Sequence, residues 1–143
     1  MTEKFLVHLR RPNKNDIDEL INAFGRSQNL HQPWTVIPKD IEIYAEQPHR
    51  YLVCLKESNA IVGSFHIGDI VEGWFHSAYI GYEAFEPYQG KGYMYQGLLL
   101  LLHETFNALN LHRLEANIQP ENIASIRLVS KAGFIKEGYS KNI

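Results

Sequence analysis

A glycine-rich turn at residues 89–94, Gln-Gly-Lys-Gly-Tyr-Met, is the part of the sequence best suited to holding an anion. It stands where a helical stretch begins, so unpaired backbone N–H groups and the positive end of the helix dipole point into one loop. Gly90 and Gly92 let the backbone approach the anion closely, and Lys91 adds a positive charge. The turn is therefore predicted to bind a pyrophosphate, although a glycine turn before a helix can also be no more than a turn.

Two common phosphate loops do not fit the spacing of this turn. A Walker loop has Ser or Thr after Gly-Lys, whereas Gly92 follows Lys91 here, and its earlier glycine would fall at Phe85. A dinucleotide-binding fingerprint would have a third glycine where Tyr95 stands, and it would open a βαβ unit. Neither loop is predicted.

Runs of alternating or β-rich residues before the turn predict strands. Phe5–Leu9 alternates with more polar neighbours and is closed by Pro12. Two β-rich runs, Tyr51–Leu55 and Ile61–Ile67, are joined by a polar turn and form a hairpin. A third run, Phe75–Phe85, completes an antiparallel meander that leads into the glycine turn.

Helical periodicity marks three segments up to the middle of the chain. Asn13 caps a predicted amphipathic helix that stops at Gly25, and a short helix is predicted from Asp40 to about Glu46. The glycine turn then opens a long helix, Tyr93 to about Leu109. Strand, glycine turn and long helix together form the local pattern of an anion site.

The last third of the chain continues with a strand over Leu111–Ile118 and a helix from Asn122 to Ala132, which Gly133 ends. A further strand is predicted over Phe134–Tyr139. The chain stops at Ile143 before a partner for that strand appears, so one or more C-terminal strands are expected to be missing.

Composition and charge limit the class of protein. The 143 residues are expected to form a single domain, 1–143, with a net charge of -2 and scattered basic residues, which predicts no nucleic-acid partner. The apolar run Leu98–Leu102 is too short to span a membrane, and Cys54, the one cysteine, is interpreted as a small buried strand residue. A cytoplasmic protein is expected, and the seven histidines show no metal-ligand spacing, so no metal site is assigned.

Two sequence segments carry a resemblance to a known family. Gln89-x-x-Gly92-x-Met94 is similar to the acetyl-CoA signature Gln/Arg-x-x-Gly-x-Gly/Ala of the GNAT N-acetyltransferases. Met94 departs from the small residue of that signature but looks like the variant of the ribosomal-protein-alanine N-acetyltransferase branch. Residues 114–125, Leu-Glu-Ala-Asn-Ile-Gln-Pro-Glu-Asn-Ile-Ala-Ser, and the Lys-Ala-Gly-Phe at 131–134 resemble the second signature of the same branch.

The resemblance implies a fold, an activity and a cosubstrate. The fold would be α/β (α+β), a mostly antiparallel mixed central sheet flanked by helices on both faces. The activity would be acetyl transfer from acetyl-CoA to an amine, with no metal. The residues that the resemblance and the turn assign to acetyl-CoA are Glu83, Ala84, Gln89, Gly90, Lys91, Gly92, Tyr93, Met94, Asn122 and Ser125.

Two departures from the family leave the acid and base open. Many relatives carry a tyrosine that protonates the leaving thiolate, and that position is Val129 here, so Ser125 or a water would substitute. Many also carry an acidic base in the central strand, where this chain has Tyr79. Glu115, on the strand next to the cofactor helix, is the candidate base.

Each candidate has a purely structural alternative. Glu115 can be a solvated or cap-pairing carboxylate, Ser125 can hydrogen-bond its helix backbone, and Asn122 can cap its helix. The aromatic side chains that can line an acceptor groove or belong to the core or its rim are Trp34, Trp74 and Tyr82.

The acceptor predicted by the resemblance is the α-amine of a protein N-terminus, whose pKa of about 7.7–8.0 demands less of a base than a lysine near 10.4. Two alternatives remain: a non-catalytic acetyl-CoA-binding module, and an enzyme acetylating a small amine or an antibiotic. The chain is expected to be a monomer or a homodimer.

Overall fold

The computed structural model describes residues 5–28, 40–71, 77–107, 113–116 and 122–134. Within these ranges the strands form one sheet, in which spatial order follows chain order. The strands are β1 (Val7–Arg10), β2 (Arg50–Leu55), β3 (Ile61–Val71), β4 (Ser77–Ala84) and β5 (Arg113–Ala116). The helices are α1 (Ile17–Arg26), α2 (Ile41–Glu46), α3 (Tyr93–Asn107) and α4 (Ile123–Lys131).

The sheet is mixed, and its one parallel pair lies beside the glycine turn. β1 to β4 pair antiparallel, as the predicted hairpin and meander require. β4 and β5 run parallel, with Tyr79 opposite Glu115 and Ile80 opposite Ala116. A parallel pair needs a long crossover, and here the crossover contains α3. The predicted mixed, mostly antiparallel sheet is therefore confirmed.

Helices cover both faces of the sheet, because the strands bury apolar side chains on both sides. On the face covered by α3 and α4 the buried residues are Val7, Val53, Val62, Phe65, Ile67, Ala78, Ile80, Leu98, Leu101 and Val129. On the face covered by α1 and α2 they are Leu20, Ala23, Phe24, Tyr44, Ala45, Leu52, Cys54, Ile61 and Phe85. The predicted two-sided α/β arrangement is confirmed.

A capping box precedes α1. The Asn13 side chain accepts from the Asn15 N–H at 2.8 Å, and the Asp16 carboxylate accepts from the Asn13 N–H at 2.8 Å. Arg10 on β1 binds both oxygens of Asp16, at 2.8 and 2.6 Å, and these bonds hold the pKa of Asp16 below its usual value. Asn13 therefore caps a short 3-10 helix, Lys14–Asp16, which leads directly into α1, whereas the N-cap of α1 itself, Asp16, makes no side-chain cap hydrogen bond. The cap is tied to the first strand.

The predicted end of α1 at Gly25 was wrong by one residue. Gly25 is not left-handed and lies within the helix, which continues to Arg26. The helix ends at Ser27, whose buried hydroxyl accepts from the Glu86 N–H at 3.0 Å. A tertiary hydrogen bond, rather than a glycine cap, therefore sets this boundary.

Close packing brings α3 onto the sheet. A Cβ added at Gly97 would lie 2.9 Å from a methyl group of Val53 and 3.2 Å from the Phe65 ring. Only a glycine allows the helix this approach. Leu6, the residue before β1, donates its N–H to the Gln96 side chain at 2.7 Å and so ties the start of α3 to the first strand.

Of the remaining predictions, some can be compared with the structure and others fall on residues outside the described ranges. Cys54 is buried in β2, as predicted, and burial raises the pKa of its thiol to about 11. Trp34, Trp74 and the strand predicted after Phe134 lie outside the described residues. In the ranges given above, no helix has the length and apolarity needed to cross a bilayer.

Candidate active site

The glycine turn forms an open cradle at the start of α3. Gly90 and Gly92 have positive φ angles, 78° and 81°, which other residues rarely adopt. A Cβ added at either would meet no heavy atom within 4 Å, and the turn from Gln89 to Gly92 is exposed. The backbone thus faces open space of the kind that a pyrophosphate would need.

The first turn of α3 supplies donors to this cradle. The Gln96 N–H donates to the Gly92 carbonyl at 3.1 Å. The amides of Tyr93, Met94 and Tyr95 therefore precede the first hydrogen bond within the helix, and they carry the positive end of its dipole. The residues of the turn fit the diphosphate of coenzyme A.

Met94, the residue that departs from the signature, fits because β3 has a glycine opposite it. A Cβ added at Gly63 would collide with the Met94 sulfur and would lie 2.9 Å from the carbonyl oxygen of Glu83. Gly63 was not among the predicted site residues, although a glycine inside a strand often marks a close approach.

β4 extends past the end of its described pairing with β5. That ladder covers Ser77–Ile80, whereas the following residues, Gly81–Ala84, pair with β3 on the other edge. The backbone of Glu83 and Ala84, assigned to the pantetheine arm by resemblance, lies in this segment, and Phe85 is buried just beyond it.

The Glu83 side chain belongs to a buried polar cluster on the face of α1 and α2. It accepts from the Tyr44 hydroxyl at 2.8 Å and lies 3.6 Å from the guanidinium of Arg50. Arg50 also donates to Ser64 and to Gln47, at 2.8 and 2.7 Å, and lies 3.7 Å from the centre of the Tyr44 ring. These bonds join α2, β2, β3 and β4 around the strand that carries the proposed carbonyl-binding backbone. Sequence analysis did not find the cluster.

Asn122 and Ser125 lie together at the start of α4. The Asn122 side chain accepts from the Ser125 N–H at 3.3 Å, so the capping role of Asn122 is confirmed. At the other end of the helix, the Lys131 ammonium lies 4.4 Å from the centre of the Tyr95 ring on α3. This contact joins the end of α4 to the first turn of α3.

Glu115 and Ser125 lie on different sides of the sheet. Ala116 packs against the core beneath α3 and α4, so the alternation of strand side chains turns Glu115 to the face of α1 and α2, beside Tyr79. Ser125 lies in the first turn of α4, which covers the opposite face together with α3. The candidate base and the candidate acid therefore approach the end of the β4–β5 ladder from opposite sides.

Val129 is confirmed as an apolar residue of the core, 7% exposed, and it offers no proton donor. Across the described ranges, no three His, Cys, Asp or Glu side chains are grouped as metal ligands would be.

Comparison with known proteins agrees with this geometry. The family model for the acetyltransferase (GNAT) domain matches residues 7–135. The chain belongs to the GNAT acetyltransferase family. Its domain is that of an acetyl-CoA-dependent acetyltransferase.

Curated relatives of this GNAT domain are bacterial. The chain is 35% identical to the [ribosomal protein uS5]-alanine N-acetyltransferase of Escherichia coli, over 99% of this chain and 80% of that enzyme. It is 31% identical to the probable N-acetyltransferase YjcK of Bacillus subtilis over 87% of this chain, and it spans only 65% of that relative.

A solved structure in complex with a disulfide of coenzyme A has the same fold. Mycobacterium smegmatis RimJ, in complex with CoA-disulfide, aligns with a TM-score of 0.81 and 25% identity. The alignment covers 92% of this chain and 71% of that one. This likeness supports acetyl-CoA as the cosubstrate.

Proposed function

We propose that this GNAT domain acetylates the N-terminal α-amine of a protein in the cytoplasm. The observation that carries the proposal is the 35% identity, over 99% of this chain, to an enzyme named for acetylating an alanine of a ribosomal protein. The site chemistry is compatible, because at pH 7 an α-amine is neutral roughly several hundred times more often than a lysine amine.

Acetyl-CoA would be held by the two sides of the β4–β5 junction. The proposed contacts to its diphosphate come from the exposed turn, Gln89 to Gly92, and from the first amides of α3. Those to its pantetheine arm come from the backbone of Glu83 and Ala84 and from Asn122. When bound, acetyl-CoA supplies an acetyl group activated as a thioester.

The residues of the chain would then stabilise the negative charge on the carbonyl oxygen and transfer the protons. A backbone N–H of β4 donates to the carbonyl oxygen as it becomes negative, and such donors are effective because they are fixed in advance. Glu115, directly or through a water, takes the proton from the attacking amine on the face of α1 and α2. The Ser125 hydroxyl lies on the other face, where the thiolate leaves and takes up a proton.

The test is a thiol-release assay with acetyl-CoA and matched acceptors. One peptide begins with a free alanine and contains no lysine, a second has the same sequence with a blocked N-terminus and one internal lysine, and the third acceptor is spermidine. We expect release with the first peptide alone, with the acetyl group placed on the α-nitrogen by mass spectrometry.

The alternatives give different results in the same assay. Preference for spermidine would assign the domain to small amines. Saturable acetyl-CoA binding without thiol release for any acceptor would favour the non-catalytic acetyl-CoA-binding module. Val129 makes this the main alternative, because it stands where many relatives carry the tyrosine that protonates the thiolate.

A further inference from the structure

The phenolic oxygen of Tyr82 is buried and has no hydrogen-bond partner among the described residues. Tyr82 lies on β4, its ring packs 5.5 Å from that of Phe65, and it contacts the core beneath α3 and α4. A buried hydroxyl without a partner is unfavourable for the fold, and buried polar groups of this kind are few in native proteins. The described residues therefore leave this hydroxyl available to donate to a bound ligand.

Ser125 is the polar side chain that acts on the pKa of Tyr82. Burial raises the pKa of Tyr82, and the Ser125 hydroxyl lowers it by a smaller amount, without a hydrogen bond of normal geometry between the two. The backbone N–H of Ser125 is bound by Asn122. The phenol thus stays protonated at neutral pH, as a donor must.

The two hydroxyls meet at the site described above. Tyr82 belongs to the segment of β4 that extends past the described ladder with β5, next to the backbone of Glu83. Ser125 starts α4, and Val129, one turn later, is an apolar member of the core that Tyr82 also contacts. Tyr82 thus adds a phenolic donor on the side of α4 where Val129 offers none.

We propose that the Tyr82 hydroxyl, beside Ser125, donates the proton that the sulfur of coenzyme A takes up when the acetyl group leaves. The amine nitrogen bonds to the acetyl carbon, the carbon–sulfur bond breaks, and its electron pair stays on sulfur and takes the Tyr82 proton. The amine proton goes to Glu115 or to water, and the phenolate regains a proton from solvent. This inference rests on the acetyl transfer of the proposed function and not on which amine accepts the group.

The first test is Tyr82→Phe, with Tyr51→Phe as the matched control. Tyr51 packs against the same core from β2, so the control makes the same substitution in the same core. Because the Tyr82 hydroxyl has no hydrogen-bond partner to lose among the residues that the structure describes, we expect its removal to leave the Tm of the free protein unchanged or higher. The turnover number kcat should fall by about 10- to 100-fold with the KM for acetyl-CoA nearly constant, whereas Tyr51→Phe should keep wild-type kcat.

The second test measures binding alone. A donor aimed at sulfur lowers the pKa of the bound thiol, so the affinity of the wild type for coenzyme A should increase as pH rises towards about 8.5, the usual pKa of a free thiol, and level off above it. Tyr82→Phe should show a smaller increase, and desulfo-coenzyme A should bind both proteins with equal affinity and no such increase.

The outcomes separate this inference from the proposed function. Wild-type kcat in Tyr82→Phe, or an unchanged pH dependence of coenzyme A binding, would overturn the role of Tyr82. The wild type could release no thiol with any acceptor while Tyr82→Phe still loses the pH dependence of coenzyme A binding. That pair of results would support the sulfur contact and reject the proposed function. Equal falls of kcat in Tyr82→Phe, in Ser125→Ala and in the double variant would support a proton donation in which the two hydroxyls act as one unit.

Discussion

At the scale of single residues, the candidate base and the candidate proton donors lie on opposite faces of the sheet. Glu115 faces the side of α1 and α2, and Ser125 and Tyr82 belong to the side of α3 and α4. An amine that approaches from the side of α1 and α2 would reach the thioester from the side opposite to the one on which the thiolate leaves. The division favours separate acid and base groups over one residue that does both.

Glu115→Gln tests the base, since it removes proton acceptance and keeps the size of the side chain. We expect acetyl transfer to fall by about 100-fold at neutral pH, with acetyl-CoA affinity unchanged. The defect should shrink as pH rises, because the amine then loses its proton without help. A pH–rate profile of both proteins measures this, and a defect that is constant with pH would indicate a structural role for Glu115 instead.

Gly92→Val tests the cradle, because its side chain would project into the open space of the turn. Gly133→Val is the control, since Gly133 also has a positive φ and open space but lies after α4. Both changes should lower stability by about 1–2 kcal/mol through left-handed strain. Only Gly92→Val should weaken acetyl-CoA binding, by at least about 30-fold in a calorimetric titration. Equal affinities in the two variants would place the diphosphate elsewhere.

At the scale of elements, the site depends on how closely α3 and β4 approach β3. Gly63 is the contact point, because it leaves room for Met94 on α3 and lies beside the backbone of Glu83 on β4. The cluster of Arg50 and Tyr44 holds β4 from the other face. The segment proposed to bind the thioester is therefore fixed from both sides.

Gly63→Ala is expected to destabilise the fold by about 1–3 kcal/mol, as overpacking does, and to weaken acetyl-CoA binding by displacing Met94. Gly81→Ala on β4 is the control, because a Cβ there meets nothing within 4 Å. Adding Met94→Ala should restore only part of the stability, since the contact with the Glu83 carbonyl remains. Chemical denaturation of the four proteins measures these differences, and equal stability of the two single alanine variants would contradict the packing argument.

At the scale of the whole molecule, the two faces of the sheet are joined at the segment before the glycine turn. Arg26, at the end of α1, donates to the Glu86 carbonyl and lies 5.9 Å from the centre of the Tyr88 ring. Tyr88 in turn packs against the core beneath α3 and α4. Binding at the turn should therefore stabilise both halves of the described fold together.

Acetyl-CoA should raise the Tm in a concentration-dependent way, because it binds the native state. At 100 times its Kd the gain is about 2.7 kcal/mol, or roughly 5–10 °C for a domain of this size. Differential scanning fluorimetry measures the shift, with Gly92→Val as the negative control. A wild type that shows no shift at saturating acetyl-CoA would contradict the proposed cofactor site.

The sequence by itself determined the order of strands and helices, the glycine turn and the family, because each depends on local periodicity or on short contiguous motifs. It also marked Asn13 and Asn122 as caps, since a cap acts within three residues of its own position. Only the tertiary structure decided that α1 ends at Ser27 through Glu86, that Gly63 accommodates Met94, and that the Tyr82 hydroxyl is buried beside Ser125. Each of these joins residues far apart in the chain, and the spacing of a linear sequence carries no record of which distant side chains the sheet brings into contact.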